Sequence, residues 1–303
     1  MQDLTSNFEI PERTVDLLVI GLGPAGVAAA LQACRDGLDV FCVGDEPVGG
    51  LVRAARRLDN LPAAAGIKGI ELASKMASQF EAAAVPHTFA HVSNLGKNSD
   101  KYLARFPDGR QCRARSTVLA SGTRPREWSH SVSLQQLHRD ARTLPERLAS
   151  KRVVLIGGGE AALDTALTCS DRQAQVTVLA RGSGMRAVER LTAEAQAAGV
   201  QILTQTEVLS VSGGPGEWRL VCQNDREFEA DLLVVCIGRI PRNELLQELT
   251  GGVDLPNQLN TDIPGLFLAG DLIRGRERYV ATAMGDGQRA ALAAAKYLAE
   301  ENK

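Results

Sequence analysis

The sequence predicts an α/β protein built of parallel sheets covered by helices. Three observations carry that expectation. Short β-branched runs alternate with Ala-rich stretches of helical length, two such units share the same glycine-rich turn, and each is echoed downstream by an apolar run ending in Gly-x-x-Pro. At 303 residues the chain is long enough for two domains of ordinary size, each burying its own core.

The first unit is DLLVIGLGPAGVAAALQACRDGLDVFCVGDE. It reads as a strand, the turn Gly21-Leu22-Gly23-Pro24-Ala25-Gly26, an Ala-rich helix and the strand DVFCV. The second is RVVLIGGGEAALDTALTCSDRQAQVTVLARG, with the turn Gly157-Gly158-Gly159-Glu160-Ala161-Ala162 followed by a helix and the strand QVTVL. The two superpose without a gap, from Gly21 on Gly157 to Val43 on Leu179. Each is a complete βαβ dinucleotide fingerprint, in which the first glycine makes the turn and the second lets backbone approach a pyrophosphate. The third position must be small for the helix to pack on the strand, and the helix N-terminus offers its free amides to the phosphates.

The downstream echoes are TVLASGTRP and LVVCIGRIP, plausible exits from a nucleotide-binding sheet into a crossover. Ala120 and Gly122 in the first, and Ile237 and Gly238 in the second, are candidate cofactor contacts. Near the C-terminus, IPGLFLAGDL places Gly270 and Asp271 just beyond a buried-strand pattern, ahead of the helical stretch ATAMGDGQRAALAAAKYLAEE.

Charge separates the two units. The end of the second strand normally carries a carboxylate for the adenosine ribose, or has an Arg nearby for a 2'-phosphate. That position is Gly44 in the first unit and Ala180 in the second, so neither is acidic. The following residues are Asp45 with Glu46 in the first, which would repel a 2'-phosphate and suit FAD. In the second they are Arg181 and then Arg186, which suit the 2'-phosphate of NADPH, with NADH as the alternative.

Composition excludes several function classes. A formal net charge of -2 with 44% hydrophobic and 23% charged residues gives no electrostatic case for nucleic acid or an anionic membrane. The N-terminus MQDLTSNFEIPERTVDLLVI lacks the basic start of a secretory signal, and no apolar run approaches the roughly 20 residues that span a bilayer, so a cytoplasmic location is expected. His87 and His91 have i, i+4 spacing but no visible third ligand, so no metal site is expected. Arg53, Arg56 and Arg57 form a basic cluster after the Gly49-Gly50 turn, suited to docking an acidic protein or anionic substrate unless it is simply solvated.

Taken together, GLGPAG, the VGG of EPVGGLV, the ASG turn, IGGGEAALD, LARGSGMRA, CIGRIPRN and GLFLAGD followed by ERYVATAMGDGQRAALAAAKYL resemble the low-molecular-weight thioredoxin reductase family of flavoproteins over nearly the whole chain. The resemblance implies two Rossmann-like domains of glutathione reductase/thioredoxin reductase type, the second inserted in the first. An FAD domain would comprise residues 1–122 and 240–303 and an NAD(P)H domain residues 123–239, usually in a homodimer. Carried over by position, Gly21, Gly23, Pro24, Ala25, Gly26, Gly50, Asn60 and Asp271 would hold FAD. Gly157, Gly159, Glu160 and Ala161 would hold the NADPH pyrophosphate. Arg278, Tyr279 and Val280 fall where the family places an Arg-Gln-Ala run beside the flavin ring, so Tyr279 is a departure.

Two further departures bear on cofactor binding: Ala180-Arg181-Gly182 stands where the family has His-Arg-Arg, and the ribose acid is missing at Gly44. The largest departure bears on chemistry. The family keeps a redox-active CxxC between the ASG turn and the second fingerprint, and here Thr123 to Arg152 contains no cysteine. The six cysteines, Cys34, Cys42, Cys112, Cys169, Cys222 and Cys236, show no CxxC spacing and read mostly as core residues.

The expectation is therefore an FAD-dependent NAD(P)H oxidoreductase that hands electrons directly to an acceptor: a small molecule, a quinone, ferredoxin or flavodoxin. The alternatives are activity like that of ferredoxin (flavodoxin)-NADP reductase, or a non-catalytic flavin-binding module for redox sensing or electron transfer. The ferredoxin-reductase type also lacks CxxC, but its usual C-terminal extension has no counterpart in a chain stopping at AAKYLAEENK.

Overall fold

The computed structural model describes residues 8–129, 136–252 and 259–301. The first seven residues, on which the reading of the N-terminus partly rests, and residues 130–135 of the cysteine-free stretch lie outside them. The chain divides into two compact units: Met1–Arg53, Asp59–Arg124 and Pro241–Lys303 form the first, and Ala54–Leu58 with Pro125–Ile240 form the second. Nothing in the sequence patterns assigns the short segment Ala54–Leu58 to the second unit, because its partners lie far along the chain.

In chain order, the first unit opens with β1 (Thr14–Ile20), α1 (Pro24–Arg35) and β2 (Val40–Gly44), then α2 (Gly69–Ala82), β3 (His87–Phe89), β4 (Asn94–Asn98), β5 (Lys101–Arg105) and β6 (Gln111–Leu119). β7 (Thr123–Pro125) follows at the exit. The second unit contains β8 (Arg152–Ile156), α3 (Glu160–Asp171), β9 (Gln175–Leu179), α4 (Glu189–Ala197), β10 (Gln201–Leu203), β11 (Val208–Ser212), β12 (Trp218–Cys222), β13 (Glu227–Ala230) and β14 (Leu232–Val235). β15 (Arg239–Pro241) pairs with β7, and α5 (Glu244–Leu249), β16 (Leu266–Leu268) and α6 (Val280–Glu301) complete the first unit.

The main sheet of the first unit has the order β3-β2-β1-β6-β5-β4, with β16 also on β6. β6 serves two partners along one edge: its first half pairs antiparallel with β5, and Thr117–Leu119 pair parallel with β16. β1 runs parallel to both β2 and β6 and is covered on both faces, which is why its sequence is a continuous apolar run rather than an alternation. Leu17, Leu18 and Val19 are fully buried, and each contributes about 2 kcal/mol of burial.

The Ala-rich character of α1 also has a packing reason. α6 approaches so closely that a Cβ on Gly287 would lie 2.0 Å from the Ala25 carbonyl oxygen, so only small residues fit that seam. Ala283, Ala290, Ala291 and Ala294 continue it along α6.

The second unit repeats the plan. Its parallel sheet has the order β10-β9-β8-β14, and a separate antiparallel sheet β11-β12-β13 buries Trp218. α1 and α3 are both twelve residues long and begin at corresponding positions of the two fingerprints. Among the described residues no helix is long and apolar enough to cross a membrane.

Candidate cofactor sites

In the first unit the carboxyl ends of β1, β2, β6 and β16 converge on the turn after β1. Gly21 has φ +108°, and a Cβ there would sit 2.2 Å from the Ala120 carbonyl oxygen. The Gly21 N–H donates to the Val43 carbonyl at 2.7 Å, and the Ala120 N–H donates to Ile20 at 2.8 Å, tying the three strand ends together. A Cβ on Gly26 would lie 1.8 Å from the Gly21 carbonyl oxygen, so a helix bearing any larger residue could not pack here.

Gly23 differs. It is the N-cap of α1 with no side-chain cap, Pro24 follows it, and a Cβ there would meet nothing within 4 Å. The helix N-terminus therefore faces open space with free backbone donors, the form of an anion cradle. Gly50 closes one side, since its Cβ would come 3.2 Å from Gly23 Cα. Asp45 leaves the end of β2, and its carboxylate accepts two hydrogen bonds from Arg242, at 3.2 and 2.7 Å. Burial pushes that carboxyl up, yet the Arg242 hydrogen bond and charge hold it below its ordinary value.

Ala25 touches Gly270, whose Cβ would sit 2.7 Å from that of Ala25. Asp271 then lies in the 3-10 turn Gly270–Leu272 beyond β16. Before α6, Arg274 forms two hydrogen bonds to the buried Asp286 at 3.0 and 2.5 Å, and Arg278 donates to the Arg274 carbonyl at 2.9 Å. Tyr279 is about half exposed at the start of α6, beside Val280. Asn60 is exposed on the surface of the same unit.

The second unit copies this geometry. Gly157 has φ +149°, and a Cβ there would sit 2.2 Å from the Cys236 carbonyl oxygen, as Gly21 sits on Ala120. The Cys236 N–H donates to Ile156 at 2.7 Å, as Ala120 does to Ile20. Gly159 is an uncapped N-cap for α3 with nothing within 4 Å of its Cβ, and Glu160 and Ala161 form the exposed first turn. The loop after β9 returns to this turn, where the Arg186 N–H donates to the Gly158 carbonyl at 2.6 Å. Arg181 and Arg186 are exposed, with no ion-pair partner among the described residues. Ile237 and Gly238 follow β14, and the Gly238 carbonyl accepts from the Arg126 N–H at 3.0 Å.

The structure corrects the reading of the basic cluster. Arg56 donates through its guanidinium to Asp171 at 2.6 and 3.2 Å and to Glu194 at 2.8 Å, while its backbone N–H donates to Asp164 at 2.8 Å. Arg57 donates to Glu194 at 3.0 Å. Both arginines are thus committed to α3 and α4 of the second unit and are not a free docking surface. Two carboxylate-bearing helices a hundred residues downstream could not be matched to them from local pattern. The histidines part likewise: His87 is buried among Phe8, Phe80 and Phe89, whereas His91 lies 3.6 Å from Asp45.

None of the six cysteines is in a disulfide. Burial raises every thiol: Cys112, Cys169 and Cys236 are pushed up to about 12, and Cys34, Cys42 and Cys222 also rise. At neutral pH these sulfurs stay protonated, and a protonated thiol does not attack a disulfide.

Comparison with known proteins agrees with this geometry. Residues 15–287 match the family model for pyridine nucleotide-disulphide oxidoreductases. The chain is 30% identical over 303 residues to a thioredoxin reductase of Treponema pallidum, covering 95% of this chain and 98% of that one. It is 26% identical over 313 residues to a ferredoxin-NADP reductase of Limosilactobacillus fermentum, covering 95% of each. The thioredoxin reductase structure from Lactococcus lactis superposes with a TM-score of 0.85 at 23% identity, over 95% of this chain and all of that one, which establishes the fold. The chain belongs to the pyridine nucleotide-disulphide oxidoreductase family, among thioredoxin reductase-like NAD(P)H-dependent flavoprotein oxidoreductases that bind FAD and NADPH.

Proposed function

We propose that the protein takes electrons from NADPH onto FAD and passes them directly to an acceptor, without a protein dithiol. The observation that carries this reading is the pairing of two open glycine cradles, at Gly23 and Gly159, with six cysteines whose thiols are all raised. The fit of each cradle is physical. A Cβ at either position would stand in the open space a pyrophosphate needs, while at Gly21, Gly26 and Gly157 it would strike backbone.

When bound, NADPH supplies a hydride and FAD accepts it and can release the electrons onward. The chain's own residues bind and orient. The α1 and α3 N-termini offer amides to the two pyrophosphates, and Asp271 serves the flavin ribityl chain. Arg181 and Arg186, tethered near the second turn, meet the 2'-phosphate. Arg278, Tyr279 and Val280 line the flavin ring, with Tyr279 offering an aromatic face where the family has an amide. Acceptors of this reading are a small molecule, a quinone, ferredoxin or flavodoxin, and the working assembly is a homodimer, which light scattering would show as twice the chain mass.

Ferredoxin or flavodoxin reduction is favoured as a second reading by the similarity to the Limosilactobacillus fermentum ferredoxin-NADP reductase. Anaerobic stopped-flow mixing tests both. NADPH should bleach bound FAD faster than NADH, and Arg181→Ala with Arg186→Ala should weaken NADPH about 10- to 100-fold while leaving NADH unchanged. Failure of both nicotinamides to bleach the flavin would sink the proposal. Reoxidation of the reduced enzyme by ferredoxin or flavodoxin, rather than by quinone or a disulfide, would select the second reading.

A further inference from the structure

The missing ribose carboxylate of the first unit has a structural explanation. A Cβ on Gly44 would lie 2.9 Å from Leu22 Cγ and 3.2 Å from the Leu22 backbone nitrogen. Leu22 is buried, and its carbonyl accepts from the Gly49 N–H at 2.8 Å, so it cannot withdraw without disturbing the turn. The side chain of the first fingerprint turn has filled the volume that an acidic residue at position 44 would need.

The next residue is acidic and is held. Arg242 grips both oxygens of Asp45 through its two terminal nitrogens, at 3.2 and 2.7 Å. Arg242 is itself anchored through its backbone: its N–H donates to the Gly122 carbonyl at 3.0 Å, and its carbonyl accepts from the Ser121 hydroxyl at 2.7 Å. Ser121 and Gly122 follow β6, the parallel neighbour of β1, so Arg242 reaches Asp45 from the same end of the sheet as the Gly21–Gly26 turn. His91 Nδ1 stands 3.6 Å from Asp45 Oδ2, the oxygen that Arg242 holds at 2.7 Å.

A forked guanidinium fixes a carboxylate in one orientation, where a lone surface Asp would rotate freely. Of the carboxylate's four lone-pair sites Arg242 uses two and the Asp45 backbone N–H a further one, so the held group still accepts from a ribose hydroxyl. The pair itself is partly solvated, at 30% and 36% exposure, and such pairs add little to folding stability. Orientation of Asp45 is therefore its more consequential effect.

We infer that the ribose-binding carboxylate has moved from position 44 to Asp45, and that Arg242 is the positioning residue that holds it toward the adenosine ribose of FAD. This rests on the reading that the first unit binds FAD. Arg242 lies 197 residues from Asp45 in the chain, beyond the inserted unit, so the pair is invisible to any local motif.

The test is equilibrium binding to flavin-stripped protein, followed by flavin fluorescence, with FAD and with an FAD analogue carrying 2',3'-dideoxyadenosine. Wild type should prefer FAD about 10- to 100-fold. Asp45→Ala should bind both ligands alike, at the weaker level. Arg242→Leu should lose most of the preference at an unchanged unfolding temperature, and Arg242→Lys should keep part of it. Asp45→Asn gives the same comparison with an isosteric side chain if the alanine variant does not fold. Full preference retained in Asp45→Ala or in Arg242→Leu would overturn the inference. So would a wild type that binds FAD without preferring it, whereas a wild type that binds no FAD would overturn the functional reading beneath it.

Discussion

Gly23 and Gly26 lie three residues apart in one turn, yet the structure asks opposite things of them. Gly26 has backbone 1.8 Å from where its Cβ would go, while Gly23 and its counterpart Gly159 have nothing within 4 Å. Gly26→Ala should therefore cost about 3 kcal/mol or more of stability by forcing α1 off β1. Gly23→Ala and Gly159→Ala should leave the unfolding temperature unchanged, the first weakening FAD and the second weakening NADPH by about tenfold or more. Thermal unfolding set beside titration with each ligand separates these outcomes. Equal loss of stability in all three variants would show that the open glycines serve packing after all. At this scale the sequence motif alone names all three as required, and only the structure says which requirement is packing and which is room for a ligand.

At the scale of elements, α3 carries a carboxylate under strain. Burial pushes Asp164 up to about 6 from 3.8, against the hydrogen bonds that the Arg56 and Arg57 backbone N–H groups supply. Between about pH 4 and pH 6 the folded state then binds more protons here than the unfolded state does, so this residue's contribution to stability falls as pH rises. Asp164→Asn removes the effect while keeping an acceptor for the Arg56 N–H. The stability of the variant relative to wild type should grow by about 2–3 kcal/mol from pH 4 to pH 6, measured by denaturant unfolding at each pH. A flat difference across that range would show Asp164 to be ionised throughout. The existence of α3 after the second glycine turn was legible in IGGGEAALD, because a turn and an Ala-rich run are local signals. Its clasp on Arg56 was not legible, because ion pairing depends on which distant segment the fold brings near.

Across the whole molecule, the first unit is assembled from both ends of the chain, and its closure depends on the seam between α1 and α6. Gly287→Val would drive a branched side chain into the Ala25 carbonyl, now 2.0 Å from where a Cβ would stand. The expected result is a loss of about 3 kcal/mol in the first unit, seen as release of FAD fluorescence well below the wild-type transition. The fluorescence of Trp218, buried in the second unit, should report a separate and unshifted transition. A shift of equal size in both signals would show that the two units unfold as one.

The sequence by itself determined the α/β class, the two βαβ units, the glycines of their turns, the opposite charges that follow β2 and β9, and the absence of CxxC. All of these are written within some thirty residues of contiguous chain, where spacing alone specifies which backbone groups meet. Only the tertiary structure decided that Leu22 bars an acid from Gly44, that Arg242 holds Asp45, that Arg56 and Arg57 belong to α3 and α4, and that Gly287 admits α6 to α1. Three of these contacts join residues a hundred or more positions apart, and the fourth links the first glycine turn to the end of β2, so no local periodicity encodes any of them. They follow from which strand ends and helix faces the folded sheet places side by side.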